Sequence, residues 1–290
     1  MKKLFKTFVA LAAVAALGFS FVSCKNNDDD SSNNYGAATG NNGSGKSQSG
    51  NNGYIGTKAP SEAKAVGDIV FSDGSATPYA SISSNLLYSD YEKWKAIVAV
   101  IFYAGSSDDV LGAKTLGVGL KENQSIAGVF AKSGTTGYTT NFAEIQCTPS
   151  ASAYEVGAAG TTTFTGDLDG SDNWAKICAT DTTAEENAET NYSLFYNINN
   201  YGTKYKLTGD YQSGWYLPTV AELSMLYRVK DTVNAAFSIY GNLNTCTKSY
   251  VSSSQVASDA ERVWEVNFNN GSISYPSKKM SSYARAIRAF

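Results

Sequence analysis

The chain has 290 residues, a formal charge of −3 and no histidine. The missing imidazole excludes Ser-His-Asp and Cys-His catalysis, His-ligated zinc and histidine proton shuttles. A mildly acidic balance, with charged residues at only 17%, argues against a nucleic-acid partner, which would need clustered Lys and Arg. The 19 tyrosines and 26 glycines, beside plentiful Ser, Thr and Asn, suit twisted strands and adaptable binding surfaces.

Met1 to Lys6 is a positive segment, and Phe8 to Phe21 is an apolar run too short for a transmembrane helix. The run ends in Phe21-Val22-Ser23-Cys24, which resembles a relaxed lipobox of the spirochaete kind. Residues 1–23 are therefore expected to be a lipoprotein signal peptide, with Cys24 as the acylated residue. An ordinary signal peptide with an incidental cysteine is the alternative. Cleavage would remove Lys2, Lys3 and Lys6 and take the charge from −3 to −6. Residues 24–60, rich in Asn, Ser and Gly, cannot bury enough apolar area to order themselves and are expected to form a flexible stalk.

The globular domain is expected over residues 61–290. Val66–Phe71 reads as a short strand and Ser72–Ser75 as a turn. Ala96–Tyr103 is continuously apolar and β-branched, hence a strand buried on both faces, with Leu116–Leu120 returning beside it. Residues 125–165 read as loops and short strands. Asp167 to Asn173 offers alternate carboxylates as a calcium loop would, but lacks the downstream Glu. The competing reading is a turn capping the segment that begins at Trp174, and no metal or cofactor is expected. Thr190–Asn200 reads as a short aromatic-packing helix.

Gly214-Trp215-Tyr216-Leu217-Pro218-Thr219-Val220-Ala221-Glu222-Leu223 is the most organised stretch. Pro218 stops an extended segment, and Thr219 with Glu222 forms a capping box for a helix whose apolar face carries Leu223, Leu226 and Tyr227. Val233, Ala236, Phe237 and Tyr240 mark a second helical segment. Of Cys147, Cys178 and Cys246, the first two are a candidate disulfide in an exported protein, with buried or isolated thiols as the plainer reading. In Val263–Phe268, Trp264, Val266 and Phe268 point one way and Val263, Glu265 and Asn267 the other. Asn270-Gly271 signals a two-residue hairpin turn, with Ser272–Tyr275 running back.

Five motifs in order carry a resemblance: Gly67–Gly74, Gly214–Leu223, Tyr250–Gln255, Trp264–Gly271 and Arg285–Arg288. Together they resemble C-type-lectin-fold proteins of the formylglycine-generating-enzyme-like branch, and within it the retroelement-diversified variable lipoproteins of Treponema. The resemblance implies an α+β fold: a C-type lectin fold without the lectin calcium site, with short twisted antiparallel strands and two or more helices. Val251 departs from the pattern, which usually has Trp after Tyr250. Enzymes of the branch use cysteines in their C-terminal half, where only Cys246 stands here, so the chain is not expected to be an enzyme.

The resemblance further implies a variable C-terminal segment, about residues 240–288, binding a protein or glycan ligand. Its candidate contact residues are Asn242, Asn244, Cys246, Lys248, Val251, Arg262, Glu265, Asn269, Ser272, Ser274, Tyr275 and Ser281. Small polar residues with a few aromatics can meet varied partners without being needed by the core. The protein is thus expected to be lipid-anchored at the outer membrane or cell surface. Two alternatives remain: an enzyme derived from the same fold, and an invariant envelope protein without a specific ligand.

Overall fold

Short β-branched and aromatic runs, punctuated by Gly- and Asp-containing turns, give this chain many brief strands. The computed structural model describes residues 53–82, 90–120, 126–241 and 246–290. The expectations for the signal peptide, for Cys24 and for the stalk up to residue 52 lie outside the described residues, as do Asn242 and Asn244. In chain order the strands are β1 (Asp68–Phe71), β2 (Ala76–Pro78), β3 (Ile97–Ala104), β4 (Thr115–Gly119), β5 (Ile126–Gly128) and β6 (Cys147–Pro149). They continue as β7 (Phe164–Gly166), β8 (Ser249–Gln255), β9 (Val263–Asn267), β10 (Ile273–Ser274), β11 (Ser282–Ala284) and β12 (Ile287–Ala289).

The fold is mixed α+β. One antiparallel sheet has the order β12-β4-β3-β1-β2, and a second has the order β10-β9-β8-β11-β5, antiparallel except where β11 meets β8 in parallel. The strands β6 and β7 pair by themselves. The apolar Ala96–Tyr103 run sits as the central β3, and the 116–120 segment returns beside it as β4. The described chain reaches further forward than residue 61. Lys58 bridges Ala76, and the Ile55 N–H donates to Asp73 Oδ2 at 2.8 Å, so residues 55–58 are pinned to the β1–β2 turn.

The Thr219–Glu222 capping box is present and opens the helix Val220–Arg228, followed by Lys230–Ile239. The Thr190–Asn200 segment is two short helices, Ala188–Asn191 and Ser193–Asn199. Tyr192 separates the two at non-helical φ −133° and ψ 47°, and its buried hydroxyl donates to Asp181 Oδ2 at 2.7 Å. Leu223, Leu226, Val233 and Phe237 pack with Trp264 and Val266 of the second sheet and with Phe268 just beyond β9 in one core. A second core holds Trp215, Phe195, Tyr201, Val251 and Val263.

The hairpin after β9 exists, but its turn is wider than two residues. Ile273 pairs with Val266, and Asn267 N–H donates to Ser272 O at 2.9 Å, leaving Phe268–Gly271 as the loop. Phe268 leaves the strand because its ring is held edge-on by Tyr227 and Tyr250, at centroid distances of 5.6 and 5.1 Å. Gly271 closes the loop at φ +71°, with Tyr227 Oη only 2.4 Å from where a Cβ would stand, so both backbone and space demand glycine.

Candidate functional site

The scaffold beneath the C-terminal segment is built from buried polar groups. Glu222 is fully buried, and its carboxylate accepts from Thr219 N–H at 2.8 Å, Gly170 N–H at 3.2 Å and Tyr216 O–H at 2.9 Å. Burial pushes its carboxyl up to about 7, against the opposing pull of the Thr219 and Tyr216 donors. The same burial and the facing carboxylate raise the Tyr216 phenol. The capping box thus also fastens the 167–172 turn to the helix.

That turn is the one weighed as a calcium loop. Asp169 caps the turn by accepting from Ser171 N–H, and the helix Asn173–Thr180 follows. Each carboxylate has a cationic neighbour: Asp169 with Lys114 at 2.7 Å, and Asp167 and Asp172 with Lys176 at 3.3 and 2.8 Å. Among the described residues no group of three or more His, Cys, Asp or Glu could hold a metal ion.

The three domain cysteines are free thiols, so the Cys147–Cys178 pair does not form. Cys147 is enclosed in β6 within the core around the Val220–Arg228 helix, whereas Cys178 lies half-buried on the Asn173–Thr180 helix against the other core. Burial pushes the Cys147 thiol up to about 12 and that of Cys178 to about 11, which leaves little thiolate at neutral pH.

The serines of Tyr250–Gln255 are structural. Ser252, Ser253 and Ser254 are wholly buried. Ser252 Oγ donates to Trp264 O at 2.8 Å, Ser253 Oγ accepts from Asn173 Nδ2 at 2.8 Å, and Ser254 Oγ accepts from Val220 N–H at 3.0 Å. The last contact satisfies a free donor at a helix start. Gln255 Oε1 accepts from Phe142 N–H at 3.0 Å and from Lys278 Nζ at 3.0 Å. Lys278 is itself fully buried and also donates to Gly137 O and Thr140 O.

The ten described candidates for contact do not share one environment. Cys246, Val251 and Ser272 are buried, at 1%, 1% and 9% exposure, and do not face solvent. Val251 packs with Val263 and Ala284, filling the place where an outward side chain was expected. Ser274 Oγ donates to Glu265 Oε1 at 2.9 Å on one face of the hairpin, where burial, ahead of the Ser274 and Ser249 hydrogen bonds, raises the Glu265 carboxyl. Tyr275, the next residue, turns its ring edge-on to Trp264 at 5.5 Å, towards the other face. Arg262 joins Tyr275, donating to its carbonyl at 3.0 Å and lying over its ring at 5.7 Å. Lys248 lies over the Tyr283 ring at 3.8 Å, and Asn269 and Ser281 are exposed.

Sequence reasoning missed Tyr154 and Tyr283. Tyr154 is 62% exposed, sits at φ +67°, donates its N–H to Ile273 O at 2.7 Å and packs its ring on Tyr275 at 5.5 Å. Nothing in the local sequence around Tyr154 signals this; the pairing with the hairpin is long-range. Tyr283, 41% exposed, lies inside the C-terminal segment and could have been included on its position alone.

Residues 160–288 match the family model of the Lcl C-terminal domain. The match covers less than half of the 290-residue chain. It contains four of the five motifs, from Gly214–Leu223 to Arg285–Arg288, and leaves Gly67–Gly74 outside. No curated protein matches the chain.

Proposed function

We propose that this protein is a surface-displayed, lipid-anchored binding protein of the C-type lectin-like variable class, and not an enzyme. Its ligand, a protein or a glycan, is met by side chains of the C-terminal segment. The match to the Lcl C-terminal domain supports this class, a family associated with C-type lectin-like variable proteins. The C-type lectin frame and the formylglycine-generating-enzyme-like branch are part of the proposal, as are export through residues 1–23 and acylation at Cys24.

The observation that carries the reading is the division of the segment between two kinds of side chain. Trp264, Val266, Phe268 and Ser252–Gln255 are buried and fix the sheet, whereas Lys248, Arg262, Glu265, Asn269, Ser274, Tyr275 and Ser281 retain solvent access. Tyr154 and Tyr283 join this set. Asn269, Ser281, Tyr154 and Tyr283 are its exposed members, and replacing such a residue typically changes stability by no more than about 0.5 kcal/mol, so these positions can vary while the frame persists.

Sequencing the segment coding for residues 240–290 across many cells of the source strain tests the proposal. Substitutions concentrated at Lys248, Asn269, Ser274 and Tyr275, with Trp264, Phe268 and Ser252–Gln255 constant, are expected. A uniform segment would remove the diversified face and leave an invariant binder or envelope protein.

A further inference from the structure

Away from the proposed contact residues, a cleft of about 420 Å3 is walled by Trp174, Phe195 and Trp215, with Ser171, Asn199 and Arg288 as polar side chains in its lining. Its volume falls within the range of small-molecule sites. The walls are set by packing: Trp174 stacks on Phe195 with centroids 5.2 Å apart and planes 27° apart. The Trp215 indole N–H donates to Tyr211 O at 2.8 Å, which fixes that ring. Tyr216 also borders the cleft, but its hydroxyl is engaged by Glu222.

Arg288 of β12 is the charged residue in this lining, and it also borders a neighbouring cleft lined by Asp210, Tyr211 and Phe290. Its guanidinium donates through Nη1 to Asp210 O and Ser213 O and lies over the Tyr211 ring at 5.0 Å. Those partners are backbone carbonyls and an aromatic face. Among the described residues no carboxylate lies within ion-pair distance of Arg288, and its buried Nε has no hydrogen-bond partner. Burial pulls the guanidinium below its usual value, against the weaker opposing pull of Tyr211 and of the Asp210 carboxylate, which acts on it without an ion-pair contact. Partly buried charges normally have a counter-charge; with Nη1 occupied and Nε enclosed, Nη2 is the edge on which a carboxylate oxygen can make a charge-assisted hydrogen bond.

We propose that the cleft binds a small aromatic carboxylate, its ring against the Trp174 and Trp215 walls and its carboxylate on Arg288. A sugar fits less well, because a ring of hydroxyls needs more hydrogen-bonding side chains than Ser171, Asn199 and Arg288 supply. The proposal does not rest on the reading of the C-terminal face: Arg288 ends that segment but is not among its candidate contact residues.

The test is titration calorimetry on the full chain with indole-3-acetate, its neutral isostere indole-3-acetamide and the cation tryptamine. Indole-3-acetate is expected to bind with a dissociation constant near or below about 1 mM, the range for a ligand of this size. The acetamide should bind about tenfold or more weakly, the worth of one charge-assisted hydrogen bond, and tryptamine should not bind. Ala175 is an exposed cleft residue, so Ala175→Trp should fill the site, abolish the heat and leave the thermal melt unchanged. Arg288→Lys should lose the preference for the acid over the amide. Equal affinity for acid and amide, no binding of the acid at about 10 mM (ten times the expected constant), or full binding by Ala175→Trp would each overturn the proposal.

Discussion

Lys278→Met is the substitution that most directly probes how the C-terminal segment is held. The Lys278 ammonium is wholly buried and donates to Gly137 O at 3.1 Å and to Thr140 O and Gln255 Oε1 at 3.0 Å each. Its charge also lies over the Phe142 and Phe130 rings, at 4.7 and 5.6 Å. Methionine keeps the stem and removes all three donors. Gln255 Oε1 retains the Phe142 N–H, but the Gly137 and Thr140 carbonyls lose this partner at about 1–3 kcal/mol each. Relief from burying a charge offsets part of that, so a net loss of about 2–4 kcal/mol is expected, against a total stability of about 5–15 kcal/mol.

The assay is urea unfolding at pH 6.5, where the midpoint should fall with an unchanged slope. The pH dependence supplies a second arm. Burial pushes the Lys278 ammonium down to about 7 from its ordinary 10.5, opposed by Asp259 and Glu261. Between those values the unfolded chain holds a proton that the folded chain has shed, so wild-type stability should rise with pH across that window. The full depression corresponds to at most about 5 kcal/mol, reduced to the extent that the three oxygens hold the charged form. The Met variant should lack that rise, so the difference between the two proteins isolates it. A midpoint at pH 6.5 that is unchanged or raised would refute the bridging role of the ammonium.

Four further outcomes are expected. Glu222→Ala strands the donors of Thr219, Gly170 and Tyr216 and should lower stability by about 3 kcal/mol in thermal melts. Because the Glu222 carboxyl is raised from 4.5 to about 7, its contribution is fully present below pH 4.5 and is lost as pH rises through 7, so Glu222→Gln should flatten that fall. Gly271→Ala must adopt φ +71° with its Cβ against Tyr227 Oη, which should cost about 2 kcal/mol in unfolding free energy. Peptide mapping without reductant should find Cys147, Cys178 and Cys246 all alkylated after denaturation, with Cys147 and Cys246 protected in the native protein.

Much of the frame was legible because it follows local rules. A capping box, a continuous apolar strand and a Pro218 stop need only neighbouring residues, and each appears where the sequence puts it. The misplaced features depend on long-range partners. Val251 looked available for contact until β11 and the 130–145 region covered it, and Asn270-Gly271 looked like a two-residue turn until Phe268 was drawn between Tyr227 and Tyr250. Cys147 and Cys178 gave no clue that β6 would enclose one thiol while a helix carried the other elsewhere.

Serine shows most clearly why composition alone misjudges the C-terminal segment. Read by residue type, Ser252, Ser253, Ser254 and Ser281 are the same small polar group, suited to turns and solvated strand faces. In the fold the first three are buried and occupied by Trp264, Asn173 and Val220, while Ser281 is exposed. A buried hydroxyl whose removal strands a donor or acceptor costs about 1–3 kcal/mol, whereas an exposed one typically changes stability by less than about 0.5 kcal/mol. Two substitutions alike in chemistry therefore differ in consequence several-fold. If the segment is diversified, variation has to follow hydrogen-bond occupancy rather than residue type: Ser252–Ser254 must stay constant beside a changing Ser281.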